Sequence, residues 1–172
     1  MEKSNIDEKI RLLTGKGMWH TQEAEGLPSV HLSDGPHGLR KQEEKERQNN
    51  VSLVSTCYPT ASALACSWDV TAAERLGRAV AKEAWNADVA VLLGPGINMK
   101  RSPLCGRNFE YFSEDPFLAG RLGAAYVSAA QGEDVAVSLK HFAANNQETN
   151  RQTSNSQIDE RALREIYLSA FE

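Results

Sequence analysis

Three segments of the chain gather the groups able to do chemistry. Ser33-Asp34-Gly35-Pro36-His37-Gly38-Leu39-Arg40 sets one carboxylate in a tight turn fixed by two glycines and a proline. Lys140-His141-Phe142-Ala143-Ala144-Asn145-Asn146 brings a cation, an imidazole and two amides directly after an apolar run. Between them, residues 101–116 are dense in charge and aromatic rings, which in a loop points to function more than to bare connection. One carboxylate set among Arg, Lys, His and Asn suits a neutral polyol. Each hydroxyl of such a ligand both donates and accepts, a carboxylate accepts from two neighbouring hydroxyls, and a cation donates to the same oxygens through bonds roughly twice as strong as neutral ones. Other readings of the same residues stay open at this point. Asp34 before Gly35-Pro36 also fits a turn residue bonded to its own backbone, Lys140-His141 fits a surface lysine beside a core histidine, and Arg107, Lys140 and Arg151 together fit an anion site.

Periodicity predicts the elements that position these groups. Four helices are expected. The first covers residues 5–14, with Ile6, Ile10 and Leu13 on one face and Gly15 and Gly17 as stops, and is expected to cap a neighbouring surface. The second covers residues 69–87, with Val70, Ala73, Leu76, Val80 and Ala84 in register and Thr71 and Glu74 spaced as a capping box. The third covers residues 116–131, with Asp115 as cap, Pro116 in the first turn and Gly132 as stop. The fourth begins near Asp159, with Leu163, Ile166, Tyr167 and Ala170 on one face. Apolar runs at residues 30–32, 89–93 and 135–139, and a less regular one at 61–66, lack polar alternation and suit strands covered on both faces. Strands alternating with amphipathic helices predict an α/β fold of parallel units joined by right-handed crossovers. In such folds ligands sit at the C-terminal ends of the strands, where these polar segments fall, together with Leu93-Gly94-Pro95-Gly96-Ile97-Asn98. Residues 41–50 are all polar or charged and read as a solvated loop.

Composition narrows the partners. The 172 residues are 41% hydrophobic, enough for a core, and carry a formal net charge of -4 with arginines scattered among acids, so nucleic acid is not expected. Cys57, Cys66 and Cys105 show no C-x-x-C spacing and read as small buried hydrophobes. His31 and His37 lack helical spacing and a nearby third ligand, so no metal is expected. Gly94-Pro95-Gly96 lacks the rest of a phosphate-binding motif, so neither a nucleotide nor another cofactor is expected. Residues 1–9 have no signal-peptide pattern and nowhere do 18 apolar residues run together, so a cytoplasmic chain without a membrane partner is expected.

Taken in order, the motifs resemble family 3 glycoside hydrolases, the β-glucosidase and β-xylosidase type. The matching pieces are the Asp34 segment, Ala65-Cys66-Ser67-Trp68-Asp69, Leu93-Gly94-Pro95-Gly96-Ile97-Asn98, Gly106-Arg107-Asn108-Phe109-Glu110-Tyr111 with Ser113-Glu114-Asp115-Pro116, Lys140-His141-Phe142 and Asp159-Glu160-Arg161. They cover the chain from about Ile6 onward.

The resemblance implies that residues 1–172 are the N-terminal portion of the family's catalytic barrel domain. A closed (β/α)8 barrel usually needs about 250 residues, so a half-barrel of TIM type is expected here, with about four strands and four helices and the remaining strands and second domain outside it. The implied activity is O-glycosyl hydrolysis of β-glucosides or similar β-linked glycosides with retention, this portion binding the terminal sugar. By position, the implied substrate-binding residues are Asp34, Arg40, Arg107, Lys140, His141 and Arg151, the last from Asn145-Asn146-Gln147-Glu148-Thr149-Asn150-Arg151. The family's nucleophile lies in an S-D-W or T-D-W type segment on a later strand, and its acid/base usually in another domain. Both are therefore expected beyond Glu172, no catalytic residue is assigned, and the chain alone is expected to be inactive. Glu110 and Glu148 are expected to pair with neighbouring arginines and Glu114-Asp115 to start a helix. The alternative is a non-catalytic carbohydrate-binding half-barrel that needs a partner chain, and open barrel edges are expected to favour self-association.

Overall fold

The computed structural model describes residues 6–42 and 51–172. In chain order the elements are α1 (Ile6–Leu12), β1 (Leu32–Asp34), α2 (Ala61–Ala65), α3 (Val70–Asn86), β2 (Val91–Gly96), α4 (Pro116–Gln131), β3 (Ala136–Lys140) and α5 (Glu160–Ala162). A 3-10 turn at Asn108–Glu110 lies between β2 and α4, and α5 continues into a π-helical turn at Leu163–Leu168 and a 3-10 turn at Ser169–Phe171. The strands form one parallel sheet in the order β1-β2-β3, with Asp34 opposite Leu93 and Gly96 opposite Lys140. A bulge, where Leu93 and Gly94 both face Ser138, interrupts the β2–β3 ladder just before the strands deliver their polar residues.

Parallel neighbours need long crossovers, and α3 and α4 supply them. Each starts on an aspartate whose side chain accepts from a free N–H of the first turn, Asp69 from Thr71 and Asp115 from Phe117. Their buried faces are short-chained: Ala73, Leu76, Val80 and Ala84 on α3 meet Ala119, Leu122, Tyr126 and Ala130 on α4. A Cβ at Gly77 would run into the Tyr126 carbonyl oxygen, so the two backbones approach more closely there than any side chain permits. The Tyr126 hydroxyl, its pKa driven far upward by burial, stays protonated and donates to the Pro36 carbonyl at 3.0 Å. That bond fastens the core helix α4 to the turn carrying Asp34. Leu92, Val89 and Val135 close the core under the helices.

The expected α/β architecture of parallel strands alternating with helices is present, with local differences. Residues 61–66, expected as a strand, form α2 instead. Ala61, Leu64 and Ala65 are its buried residues at helical spacing, and Thr60 caps it by accepting from Ala63 N at 3.3 Å. Three strands, not about four, therefore form the sheet among the described residues. The strands also lie one or two residues later than the apolar runs; at β2, Val89 N still bonds to the Ala84 carbonyl at the end of α3. The cap of α3 is Asp69, not the Thr71 and Glu74 pair. The face expected on the first helix is exposed, with Ile6 at 70% and Leu13 at 87%, and Asn5 lies outside the described residues. The fourth helix keeps α-geometry only over Glu160–Ala162. Of the thiols, Cys105 is buried as expected, whereas Cys57 and Cys66 are exposed. The expected solvated loop falls mostly on residues 43–50, outside the described residues, while Lys41 donates to the Ala87 carbonyl at 2.5 Å. Among the described residues no helix is long and apolar enough to cross a membrane.

Candidate functional site

The polar segments converge at the C-terminal edge of the sheet. β1 ends on Asp34, whose carbonyl accepts from Arg40 N at 2.9 Å while Gly38 N donates to Gly35 O at 3.2 Å, closing the turn. The Asp34 Oδ1 accepts from Gly35 N at 3.0 Å and from Lys140 Nζ at 2.6 Å. Lys140 ends β3, and its ammonium also lies 3.2 Å from Glu110 Oε2. Glu110 ends the 3-10 turn and is only 5% exposed. A buried carboxylate must be paired, and this one is held between two cations, since Arg107 Nε donates to its Oε1 at 2.5 Å. Burial pushes the Asp34 and Glu110 carboxyls upward. The hydrogen bonds and charges of Lys140 at Asp34, and of Arg107 and Lys140 at Glu110, outweigh it and hold both below the usual carboxylate range.

His141 is gripped from every side. Asn98 Oδ1 accepts from its backbone N–H at 2.6 Å and Asn98 Nδ2 donates to its carbonyl at 2.9 Å. Arg107 Nη2 lies 2.6 Å from the ring Nε2 and Tyr111 OH lies 2.8 Å from Nδ1. A guanidinium can only donate, so Nε2 accepts, and the single proton of the neutral ring sits on Nδ1 and points at the Tyr111 oxygen. Burial, together with the Arg107 and Lys140 charges, pushes the His141 pKa down to about 4, and burial pushes the Tyr111 hydroxyl up to about 12. Because the folded value lies below the ordinary one near 6.5, the stability His141 contributes is complete above that value and is lost as pH falls toward the folded pKa. In long-range 1H–15N spectra the ring is expected to remain the neutral Nδ1–H tautomer at pH 5.5. A titration midpoint at 6 or above would contradict the tautomer and the arginine contact together.

Of the six residues the motifs nominate, Asp34, Arg107, Lys140 and His141 join one hydrogen-bonded network. Arg151 reaches it through Glu148, at 3.4 Å from Oε2, while Arg107 approaches the other oxygen of that carboxylate at 3.8 Å. Arg40 touches the network through its backbone, and its exposed side chain lines the cavity beside Asp34. Glu110 and Glu148 pair with arginines as expected, and Glu110 also takes Lys140. Spacing did not single out Asn98, Tyr111 or Asn145, whose Nδ2 lies 2.9 Å from both Tyr111 OH and Glu148 Oε1. No local signal marks these three, because each meets a partner 30 or more residues away along the chain.

The arrangement can orient a polyol through alternating cations and carboxylates. Comparison with known proteins gives it a lineage. The family profile described as "Glycosyl hydrolase family 3 N terminal domain" matches residues 35–172. Thermostable β-glucosidase B of Acetivibrio thermocellus is 51% identical over 176 residues, an alignment that covers 100% of this chain and 23% of that protein. An exo-α-(1→6)-L-arabinopyranosidase of Bifidobacterium longum is 48% identical, covering 97% of this chain and 23% of the relative. The crystal structure of the Kluyveromyces marxianus β-glucosidase in complex with glucose superposes with a TM-score of 0.89 at 44% identity, covering 98% of this chain and 20% of that one. The three-stranded sheet with its crossovers is thus part of an α/β barrel of the kind these enzymes contain, and the chain spans under a quarter of their length. By the match over residues 35–172 and by these likenesses, the chain belongs to glycosyl hydrolase family 3.

Proposed function

We propose that this chain supplies the sugar-orienting wall of a retaining glycosidase acting on terminal pyranosides, β-glucosides first among them. Asp34, Arg40, Arg107, Lys140, His141 and Arg151 grip the hydroxyls of the terminal ring. The observation that carries this is the bridge of Lys140 Nζ between Asp34 and Glu110, at 2.6 and 3.2 Å, at the ends of β3 and β1. It leaves a carboxylate and an ammonium side by side, the pair that accepts from and donates to vicinal hydroxyls.

Asp34 is assigned to orientation and not to attack. Its Oδ1 already accepts from Lys140 and Gly35 N–H, and its depressed pKa keeps it ionised as an acceptor while lowering its basicity, which weakens it as a nucleophile. The charge balance favours a neutral ligand over an anion: Lys140 faces Asp34 and Glu110, Arg107 faces Glu110 and Glu148, and Arg151 faces Glu148. An incoming phosphate would have to displace those carboxylates. The relatives carry names for two different pyranosides, so the wall is assigned to features pyranose rings share.

The test is a ligand-observed NMR titration of the chain with glucose. Asp34→Ala is expected to weaken binding at least about tenfold, the loss of a charge-assisted hydrogen bond with its partner left buried. Unchanged affinity in that variant would remove Asp34 from the site.

A further inference from the structure

Away from the sugar-orienting wall, two imidazoles stand as a chelate would need them. His20 and His31 lie opposite each other in an antiparallel bridge, flanked by the bonds from Thr21 N to Val30 O at 3.1 Å and from Leu32 N to Trp19 O at 2.8 Å. Those bonds belong to the residues on either side, so the two histidines form a non-hydrogen-bonded pair, the kind whose side chains stand closer together. Their rings meet. His31 Nδ1 lies 3.0 Å from His20 Nε2, with the ring centroids 4.5 Å apart and the planes at 85°.

The backbone beneath the pair is fixed on both sides. Residues 21–30 close a hairpin in which Ser29 Oγ donates to the Thr21 carbonyl at 2.6 Å and Val30 N donates to Thr21 Oγ1 at 3.0 Å. Across the sheet, the His31 carbonyl accepts from Ala90 N at 3.0 Å and from Val91 N, at the head of β2, at 3.2 Å. His31 is 9% exposed, and the half-buried His20 gives the route to solvent.

Imidazole nitrogens bind divalent metals at about 2.0–2.1 Å, so two nitrogens 3.0 Å apart subtend an angle of about 95° at a shared ion. A tetrahedral site would need them about 3.3 Å apart. The geometry therefore suits neighbouring corners of a tetragonal Cu(II) or Ni(II) site better than Zn(II). Among the described residues no group of three His, Cys, Asp or Glu could hold a metal, so water must complete the coordination. Helical spacing is not required here, because the hairpin brings together two histidines eleven residues apart.

We propose that His20 and His31 form a two-imidazole site for a tetragonal divalent ion of the Cu(II) or Ni(II) type, which clips the hairpin onto the head of β1. The proton of the N–H···N contact moves through solvent to the outer nitrogen of the ring that carried it, so two neutral rings take the ion without net proton release. Protonation of the rings in acid competes with the metal. The site precedes Asp34 on the chain and uses none of the groups assigned to the sugar, so the two proposals stand or fall separately.

The experiment titrates the whole chain with Ni2+. Substoichiometric ion is expected to broaden the ring signals of His20 and His31 in long-range 1H–15N spectra before those of His37 and His141. At free Ni2+ ten times the dissociation constant, the thermal midpoint is expected to rise by about 3 to 6 °C. His20→Ala and His20→Gln are each expected to weaken binding at least about tenfold and to erase that rise. The broadening pattern is read on the unaltered chain and needs no variant. The proposal is overturned if His37 or His141 broadens first, or if Ni2+ raises the midpoint of His20→Ala as much as that of the unaltered chain. It is equally overturned if Ca2+, a hard cation that prefers oxygen ligands, gives the same rise.

Discussion

Lys140→Met is expected to destabilise the chain by about 3 kcal/mol at pH 7, the lower end of the cost of leaving a buried charge without its partner. Methionine keeps the length and apolar body of the side chain, so the loss falls on the ammonium. Lys140 is 12% exposed and sits between Asp34 and Glu110, at 33% and 7%. Glu110 keeps Arg107, but Asp34 is left with one backbone N–H on that oxygen, which sets the expectation at the lower end. The pH dependence identifies the cause. Asp34 and Glu110 have folded pKa values below their unfolded ones, so the stability they contribute is present above the unfolded values, near 4, and disappears as pH falls through the folded values. The gap in urea denaturation between the unaltered chain and the Lys140→Met variant should therefore narrow in acid. A gap of equal size at pH 7 and pH 3 would mean that the methylene chain, and not the charge, is what Lys140 contributes. Glucose binding should fall with the same substitution, since Asp34 loses the group that fixes its orientation.

Much of this geometry was legible in the residues. The helical register over Val70, Val80 and Ala84 and the Asp115-Pro116 start are local signals that packing reinforces, so α3 and α4 lie within a residue or two of expectation. The short segments were less legible for one physical reason: a run of five or six small apolar residues carries no periodicity long enough to separate helix from strand. Residues 61–65 became α2 because Thr60 caps them and Ser62 locks onto the carbonyls of the 3-10 turn, a tertiary contact 46 residues away. The start of β2 shifted for a related reason, since the end of α3 still claims Val89. Within the site, motifs nominated Asp34, Arg107, Lys140 and His141, which share one hydrogen-bonded network, but not the residues that hold them. Asn98 and Tyr111 meet His141, 43 and 30 residues along the chain. Spacing cannot reveal partners that only the sheet brings together.

Gly35→Ala is expected to be the most damaging single methyl in the site, with a stability loss of about 3 to 4 kcal/mol and more than tenfold weaker glucose binding. Two effects add. The residue has φ +106, where an L side chain is strained by about 1 to 3 kcal/mol. The added Cβ would also meet backbone on every side, colliding with Gly38 O and lying 2.7 Å from Arg40 N, and overpacking typically costs about 1 to 3 kcal/mol more. No flexible side chain is available to give way, so the turn itself must open. Opening it breaks the bond from Gly38 N to Gly35 O and the bond from Arg40 N to Asp34 O, which together aim the carboxylate at Lys140. The variant thus tests whether the turn or the strand positions Asp34. Denaturation midpoints and a glucose titration on the same preparation decide it: a destabilised chain that binds glucose normally would show that β1 alone holds the carboxylate in place, and that the glycine serves only the fold.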